Sequence, residues 1–409
     1  KKIKNIVVLG GGSAGWLTVA LFSSQRNGVD LNVTIIEPID IPTIGVGEST
    51  QPLVTVLLQK AGISKFEWMP GAKATYKLGV LVDGWSEIPA FVDSEDGRYN
   101  TLYDNWTMPD YILHNKNKIT PTDFNNWLEA FQFAKNNKSP QLGKVQYDIS
   151  EPLGSWRHTR EKYTYQPDLL YYSATQQHPP HAVQWDNYAL ADTLKEICCK
   201  RSNVTLIKDK ATEVSITENG YIDEIYLANH SSISGDLYID CSGFKSVLLD
   251  KTYGVPWNSF DKFLLTNRAL VVRKKYNNPQ QECIPYTLAK AMDAGWRWSI
   301  PTSHDISFGY VFSENHITKD QAEKELRESV NEWDAPLLDV PFNPGVREKI
   351  CHKNVIGAGL SSAFVEPLQA TSLAFTCQSI GLLHDVLSTS FNNAGVDTMY
   401  LESTLNTIY

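Results

Sequence analysis

The amino-acid sequence predicts an α/β protein that opens with a β-α-β unit and carries a long inserted segment of mixed character. A β-branched run near the N-terminus stops at three glycines, a helical pattern follows, and a second apolar run ends at Glu37. The chain has 409 residues, 42% of them hydrophobic and 20% charged. This length is enough for two or three closely joined units, at about 100–200 residues per domain.

The first elements follow one another without interruption. Residues 3–9 form a β-branched run that ends at Gly10, as a buried parallel strand does. Residues 13–26 have helical spacing, and Ser13 is placed to cap the helix. Residues 31–37 predict the second strand, which completes the β-α-β unit.

The rest of the chain alternates between irregular and regular segments. Residues from about 85 to 185 carry many Trp and Tyr with little periodicity, which predicts an inserted substrate domain with long loops. Thr318 and Gln321 match a capping box that opens a helix. The regular segments are a helix, a set of alternating strands, the capped helix and a final strand-loop-helix, over residues 186–201, 204–240, 318–330 and 354–387.

Composition excludes several classes of function. A formal net charge of -9 argues against a nucleic-acid or anionic-membrane partner, because both require a basic face. No apolar run approaches the roughly 18–20 residues of a membrane span, and the N-terminus does not resemble a signal peptide, so we expect a cytoplasmic protein. The histidines lack ligand spacing, which predicts no metal site. Reduced, buried thiols are expected at the cysteines, which show no C-x-x-C spacing: Cys198, Cys199, Cys241, Cys283, Cys351 and Cys377.

The glycine loop fits G-x-G-x-x-G in the context that gives this motif meaning, between a strand and a helix. Gly10 allows the tight turn, Gly12 lets a pyrophosphate approach the backbone, and Gly15 lets the helix pack on the strand. The helix N-terminus offers N–H donors, and Glu37 can accept hydrogen bonds from ribose hydroxyls. The pattern predicts dinucleotide binding, with a merely structural turn as the alternative, over Gly10, Gly11, Gly12, Ser13, Ala14 and Gly15.

A second glycine loop helps to identify the dinucleotide. Val46 lies between two glycines and is followed by Gly47 and Glu48, a pattern that indicates backbone packed against a planar group. Together with five other segments, this loop resembles the flavin-dependent halogenases of the tryptophan halogenase type. The six segments lie in register across nearly the whole chain: GGGSAGW (10–16), IGVGEST (44–50), YKLG (76–79), GWRWSIP (295–301), GYVFS (309–313) and FVEPLQATS (364–372).

The resemblance implies a fold, cofactors and partners. The fold would be an FAD-binding Rossmann-type domain of the flavin-monooxygenase fold with an inserted mixed substrate domain. Reduced FAD (FADH2) and O2 would oxidise chloride, bromide or iodide to hypohalous acid, which travels through a tunnel and halogenates a small aromatic substrate. A separate flavin reductase is expected, because no second nucleotide-binding loop occurs in the sequence. A homo-oligomer is left open.

The resemblance also divides the chain. Residues 1–84 and 186–260 would form the two parts of the FAD-binding domain, and 85–185 the substrate-binding insertion. Residues 261–345 would form a substrate and tunnel sheet, and 346–409 the FAD- and halide-binding loop with a C-terminal helix.

Lys77 matches the essential lysine of the family. An ammonium group can hydrogen-bond the oxygen of hypohalous acid, and a neutral amine can form a haloamine. Tyr76, Leu78 and Val80 flank Lys77 and favour partial desolvation, hence the neutral amine. The alternative is a surface lysine on an amphipathic strand.

Trp296 and Trp298 match the family pattern W-x-W-x-I-P, whose rings are thought to keep organic substrate from the flavin. Two tryptophans in the core of a strand are the alternative. Gly357 and Leu360 are further FAD-binding candidates by the same resemblance.

The segment 364–372 departs from the family pattern E-P-L-E-S-T-G. Gln369 replaces the second acid, and an amide cannot take the proton that the arenium intermediate loses. Glu366 matches the first acid, which we interpret as mainly structural or close to the flavin. Thr371 and Ser372 precede a helical stretch, so their N–H and hydroxyl groups predict a halide site. Glu48, Glu366 or water is a candidate for the missing proton acceptor.

The substrate is expected to be an indole, a phenol or a larger aromatic. The sequence ends 25 residues beyond His384, whereas tryptophan halogenases continue, and this predicts a more open site. Two other functions share the glycine loop: a flavin-dependent aromatic monooxygenase, and a flavin-binding protein without halogenase activity. Aromatic residues that could stack on a substrate, or simply fill the core, are Trp106, Trp127, Trp156 and Trp185.

Overall fold

The computed structural model describes residues 3–24, 31–39, 45–77, 79–85, 90–93, 99–101, 182–277, 282–283, 286–391 and 398–408. The helices are α1 Ser13–Phe22, α2 Pro52–Lys60, α3 Lys65–Trp68, α4 Asn187–Cys198, α5 Lys319–Val330, α6 Thr371–Phe391 and α7 Thr398–Ile408. Short 3-10 helices span Gly243–Lys245, Gly359–Ser361 and Leu368–Ala370, and a π-helix spans Val247–Thr252.

The strands fall into five sheets within the described residues. They are β1 Asn5–Leu9, β2 Asn32–Glu37, β3 Glu48–Ser49, β4 Thr75–Lys77, β5 Gly79–Asp83, β6 Ala90–Asp93, β7 Tyr99–Thr101, β8 Ala182–Trp185, β9 Val204–Lys208, β10 Ala211–Ile216, β11 Ile222–Leu227, β12 Ile233–Ser234, β13 Leu237–Asp240, β14 Trp257–Ser259, β15 Arg268–Lys275, β16 Tyr286–Met292, β17 Gly295–Pro301, β18 Asp305–Phe312, β19 Leu338–Pro341, β20 Gly345–Arg347, β21 Cys351–His352, β22 Val355–Gly357 and β23 Ala363–Phe364.

A six-stranded sheet forms the first layer, in the order β21-β22-β13-β1-β2-β9. The strands from β22 to β9 are parallel, and Val8 on the central strand pairs with Ile239 on one side and Ile35 on the other. Both faces of β1 are covered, which explains its continuous apolar run. The predicted β-α-β unit and the α/β class are confirmed.

Helix α1 is buried on nearly every side, because it lies between this sheet and the helices α4 and α6. It begins at the predicted residue, but the predicted cap is wrong. Gly12 occupies the N-cap position, and Ser13 is the first helical residue with no capping bond from its side chain.

An eight-stranded sheet forms the second layer, in the order β19-β15-β18-β17-β16-β5-β6-β7. Its strands pair antiparallel except β16 and β5. Side chains alternate between its faces. Trp296 and Trp298 belong to the core on one face, whereas α5 packs its apolar residues on the other. The capping box of α5, formed by Thr318 and Gln321, is confirmed.

A small sheet, β3-β8-β4, lies where the two layers meet. Ser49 on β3 and Thr287 on β16 share a hydrogen bond of 2.6 Å between their hydroxyl oxygens. The Thr287 hydroxyl also donates to Gln184 Oε1 on β8, at 2.9 Å. These contacts fix the end of the 45–50 segment against the eight-stranded sheet.

Among the described helices, none combines the length and apolar character that a bilayer span requires. All six cysteines are free, and five are buried as predicted. The prediction was wrong for Cys199, which follows the last residue of α4 and is exposed. Most of the predicted insertion over 85–185 lies outside the described residues.

Candidate active site

The first glycine loop is shaped by close backbone contacts. Gly10 has φ +117°, and a Cβ atom added there would overlap Cys241 O at the end of β13. A Cβ atom on Gly15 would overlap Gly10 O, so that α1 packs directly on the loop. The loop therefore brings the N-terminus of α1 to the carboxyl ends of β1 and β13, where N–H groups and the helix dipole favour an anion.

Within the part of the chain that the structure describes, two buried polar atoms at this loop have no hydrogen-bond partner, Ser13 Oγ and Glu37 Oε2. The other oxygen of Glu37 accepts from Lys195 Nζ at 2.9 Å, so Lys195 orients the carboxylate. A Cβ atom on Gly11 would overlap the Glu37 side chain, which places Glu37 against the loop. Unsatisfied buried polar atoms are costly, and ribose and phosphate groups of a dinucleotide would satisfy both. The residues present fit such a ligand.

The other side of this loop is formed by the turn after β22. Gly357 ends the strand, and a Cβ atom on it would meet Ser362 Cβ at 2.9 Å. Gly359 has φ +71° and lies against Ala14, and the half-buried Leu360 follows it.

Asp240 fixes the neighbouring turn and was not predicted from sequence. Its buried carboxylate accepts backbone N–H groups of Leu248 and Leu249 at 2.7 and 3.0 Å. Its backbone oxygen accepts the Ser361 hydroxyl. Burial raises the pKa of Asp240, although these hydrogen bonds oppose the rise.

The 45–50 loop is held from both sides. A Cβ atom on Gly45 would overlap the Tyr188 ring of α4, and Gly47 has φ +79°. Ser307 on β18 donates its hydroxyl to Val46 O. Glu48 accepts from Asn187 Nδ2 at 3.0 Å, and burial raises the pKa of Glu48 to about 7.

Lys77 lies at the end of β4 and is only 3% exposed. Its Nζ donates to Thr50 O at 2.7 Å, which connects it to the 45–50 loop. Burial lowers the pKa of Lys77 to about 7, so that ammonium and amine are both populated near neutral pH. The alternative of a surface lysine does not fit this burial. Leu78 and the side chain of Tyr76 lie outside the described part of the chain.

The tryptophan pair, Trp296 and Trp298, occupies one face of β17, and each residue is 5% exposed. The ring centroids are 6.1 Å apart at an interplanar angle of 59°. Val46 and Leu368 pack against the same core cluster. The pair therefore belongs to the core that the 45–50 loop shares with the 365–372 loop.

The 365–372 loop leads into α6. Glu366 accepts from Trp296 Nε1 and from Leu368 N, the latter at 2.9 Å. Burial raises the pKa of Glu366, and these two donors oppose the rise. Ala370 has φ +60°, an unusual conformation for a residue with a side chain. The side chain of Gln369 lies outside the described part.

Helix α6 begins at Thr371, close to the predicted start. The Thr371 hydroxyl donates to Glu366 O at 2.9 Å, and the Ser372 hydroxyl donates to Val365 O at 3.3 Å. These hydroxyls therefore fold the loop back on itself, which the sequence did not predict. The 3-10 helix Leu368–Ala370 runs directly into α6, and the N–H groups at a helix N-terminus are the kind of donor that an anion requires.

Two further observations concern the predicted aromatic contacts. Trp185 is fully buried and packs edge-on against Trp68, with centroids 5.8 Å apart. It belongs to the core. The remaining candidates lie outside the described residues: Trp106, Trp127 and Trp156.

Sequence reasoning missed the side chains that orient these groups, Lys195, Asn187 and Ser307. Each reaches its partner across elements far apart in the chain, so no local pattern marks them.

A family model described as tryptophan halogenase matches residues 5–158 and 159–403. The 7-chloro-L-tryptophan 6-halogenase KtzR of Kutzneria sp. (strain 744) is 29% identical over 382 residues, which cover 92% of this chain and 71% of that protein. Tryptophan 6-halogenase SttH of Streptomyces toxytricini is 30% identical over 416 residues, covering 96% of this chain and 75% of SttH.

A solved structure of the same family has a similar fold. The crystal structure of SttH superposes with a TM-score of 0.77 at 26% identity, over 100% of this chain and 76% of that chain. The likeness thus extends over both large sheets.

Proposed function

The chain belongs to the tryptophan halogenase family and is thus a flavin-dependent halogenase, and we propose that it halogenates an indole- or phenol-type aromatic through Lys77. The single observation that carries the assignment of Lys77 is its buried amine, hydrogen-bonded to Thr50 O beside the 45–50 loop.

FAD would be held by the glycine loop at the N-terminus of α1, with Glu37 and Ser13 as polar contacts. The 45–50 loop, Gly357 and Leu360 would contact the same cofactor. The unsatisfied Ser13 Oγ and Glu37 Oε2 atoms support this assignment. When bound, reduced FAD with O2 supplies the oxidising equivalents that convert halide to hypohalous acid.

Halide would bind at the start of α6. The backbone N–H groups of the first turn, including those of Thr371 and Ser372, point from a helix N-terminus and favour an anion. Because both hydroxyls donate within the loop, the backbone groups carry this binding.

The tryptophan pair would separate the cofactor from the organic substrate. Two large rings on one buried face would exclude an aromatic ring and would let only a small oxidant pass. Their packing with Val46 and Leu368 supports this role.

Lys77 would act on the oxidised halogen in one of two protonation states. As an ammonium it donates a hydrogen bond to the oxygen of hypohalous acid and makes the halogen more electrophilic. As an amine its nitrogen attacks the halogen of hypohalous acid: the N–halogen bond forms, the oxygen–halogen bond breaks, and the departing hydroxide takes a proton from the nitrogen, which leaves a haloamine and water. A pKa near 7 makes both states accessible at neutral pH.

The aromatic substrate must then lose a proton from the ring carbon that accepts halogen. Gln369 cannot accept it, because an amide is not a base at neutral pH. Glu48 is the candidate acceptor, because its pKa of about 7 suits a general base. It also lies two residues before Thr50, whose backbone oxygen accepts from Lys77 Nζ. The relatives KtzR and SttH act on chlorotryptophan and tryptophan, which supports an electron-rich ring as substrate.

A panel of indoles and phenols tests this function, with a separate flavin reductase supplied and with chloride, bromide or iodide added in turn. Product mass decides the outcome. Halogen addition that depends on the halide supports the proposal. Oxygen addition without halogen would make the protein an aromatic monooxygenase, and FAD binding without consumption of any substrate would leave a flavin-binding protein.

A further inference from the structure

Each residue of the tryptophan pair hydrogen-bonds to a different partner. Trp296 Nε1 donates to Glu366 Oε1, and Trp298 Nε1 donates to Ser307 Oγ at 3.3 Å. An indole N–H is only a donor, so the direction of both bonds is fixed. A purely steric barrier needs the rings but not these N–H groups.

The Trp296 bond leads into the 365–372 loop. The second oxygen of Glu366 accepts from Leu368 N at 2.9 Å, and its backbone oxygen accepts the Thr371 hydroxyl at 2.9 Å. Glu366 thus connects the indole of Trp296 to the first residue of α6. The Glu366 carboxylate accepts from two donors, Trp296 Nε1 and Leu368 N. If the Trp296 donor were removed, one oxygen of this partly buried carboxylate would lose its partner, and the loop would have to rearrange.

The Trp298 bond leads into the 45–50 loop. Ser307 is fully buried and has a single hydroxyl proton, which it donates to Val46 O while its oxygen accepts from Trp298. A Cβ atom on Gly47 would lie 3.1 Å from Ser307 Cβ, so the loop packs tightly on this residue. The orientation of Trp298 and the position of the Val46 carbonyl therefore depend on one hydroxyl.

We propose that the tryptophan pair positions two loops in addition to separating the cofactor from the substrate. Trp296 fixes the position of the 365–372 loop through Glu366, and Trp298 fixes the position of the 45–50 loop through Ser307. The proposal rests on the proposed function, which assigns halide to the first loop and FAD to the second. Trp296 is therefore a positioning residue for the halide, and Trp298 is a positioning residue for FAD.

The experiment replaces one indole at a time by phenylalanine, which keeps a ring on β17 and removes the N–H group. Trp296→Phe should weaken bromide binding about tenfold and leave the FAD dissociation constant unchanged, because one hydrogen bond to a charged group is lost. Trp298→Phe should weaken FAD binding several-fold and leave bromide binding unchanged. FAD is titrated by fluorescence, and bromide by its effect on the unfolding temperature of the FAD-loaded protein, so neither readout requires turnover.

Three further single variants and two double variants make the test specific. Glu366→Ala should reproduce the bromide defect, and Ser307→Ala should reproduce the FAD defect. Each combined with its tryptophan partner should show no additional loss, since the two residues share one interaction. Trp257→Phe is the matched control, because the buried Trp257 Nε1 has no hydrogen-bond partner among the residues that the structure describes. This variant should bind both ligands as the wild type does.

The outcomes separate the possibilities. Unchanged binding of both ligands in Trp296→Phe and Trp298→Phe would mean that the rings serve only as a barrier, and the proposal would be wrong. Equal weakening of both ligands in either variant would indicate a general structural defect and would also overturn it. If the wild-type protein bound neither FAD nor bromide, the proposed function would fail, and this inference with it.

Discussion

Among single residues, Lys77 shows how burial sets chemistry. Its amine reaches Thr50 O only because β4 and the end of the 45–50 loop both lie against β8. Strand β8 begins at Ala182, more than a hundred residues further along the chain. The sequence could therefore indicate Lys77 by resemblance, whereas its acceptor depended on a long-range pairing that no local pattern encodes.

The pKa of Lys77 predicts how halogenation depends on pH. Lys77 is protonated below about pH 7 and neutral above it, so the turnover rate should show an inflection near pH 7. In Glu48→Gln, which removes the other group that titrates near pH 7, a rate that falls with rising pH identifies the Lys77 ammonium as the active form, and a rate that rises identifies the amine.

Glu48 titrates in the same range and has to be separated from Lys77. Glu48→Gln keeps an oxygen that accepts from Asn187 and removes the titration, so the inflection should persist in this variant. A flat profile from pH 6 to 8, or an inflection that disappears in Glu48→Gln, would contradict the role of Lys77.

Among elements, the β-α-β unit was predicted well because local signals agree there. A continuous apolar strand, glycines and a helical pattern lie next to each other in the chain, and β1, α1 and β2 follow that order. The cap was misassigned to Ser13 because glycine also accepts the N-cap position. The Ser13 hydroxyl is therefore not used as a cap and has no hydrogen-bond partner among the described residues.

Two glycine-to-alanine substitutions test the packing of α1. Gly15→Ala should destabilise the protein by about 1–3 kcal/mol and weaken FAD binding, because the new methyl group overlaps Gly10 O. Gly381→Ala in α6 meets no atom within 4 Å and should stabilise it by about 0.5–1 kcal/mol. Urea unfolding of both variants measures the difference. Equal effects would show that close packing does not determine the need for glycine at position 15.

For the whole molecule, contacts between the two layers determine how the sites face each other. Arg273 on β15 binds Asp305 through two hydrogen bonds of 2.7 and 3.0 Å, and contacts Asp186 at 2.9 Å. Asp186 caps α4, which packs with the first sheet. The eight-stranded sheet likewise combines strands from residues 79–101 with strands from residues 268–341. Composition along the chain cannot indicate this pairing, because the two segments are far apart in sequence.

Arg273→Met should destabilise the protein by about 2–3 kcal/mol at pH 7, because the buried carboxylates of Asp186 and Asp305 lose a charged donor. Burial would raise the pKa of Asp305, but Arg273 outweighs it and keeps the pKa below its usual value. Stability from this pair is therefore present above about pH 4 and is lost as the pH falls through the lowered pKa. The difference in the free energy of unfolding between wild type and Arg273→Met should therefore become smaller at acidic pH.

Urea unfolding at several pH values checks this result, with Lys275→Met as the control. Lys275 is exposed on the same strand, and its replacement should change stability by less than about 0.5 kcal/mol. If the difference in the free energy of unfolding between wild type and Arg273→Met stayed constant down to pH 3, Asp305 would not be the partner through which Arg273 stabilises the protein.

The central claim is that Lys77 transfers oxidised halogen to the aromatic ring at a site apart from the flavin. Its most direct test measures FAD binding, oxygen consumption and aryl halide for the wild type and Lys77→Ala, with reduced FAD supplied and bromide present. The account predicts that Lys77→Ala binds FAD and consumes oxygen as the wild type does, while aryl halide falls by at least about a hundredfold. Sustained formation of aryl halide by Lys77→Ala would contradict it.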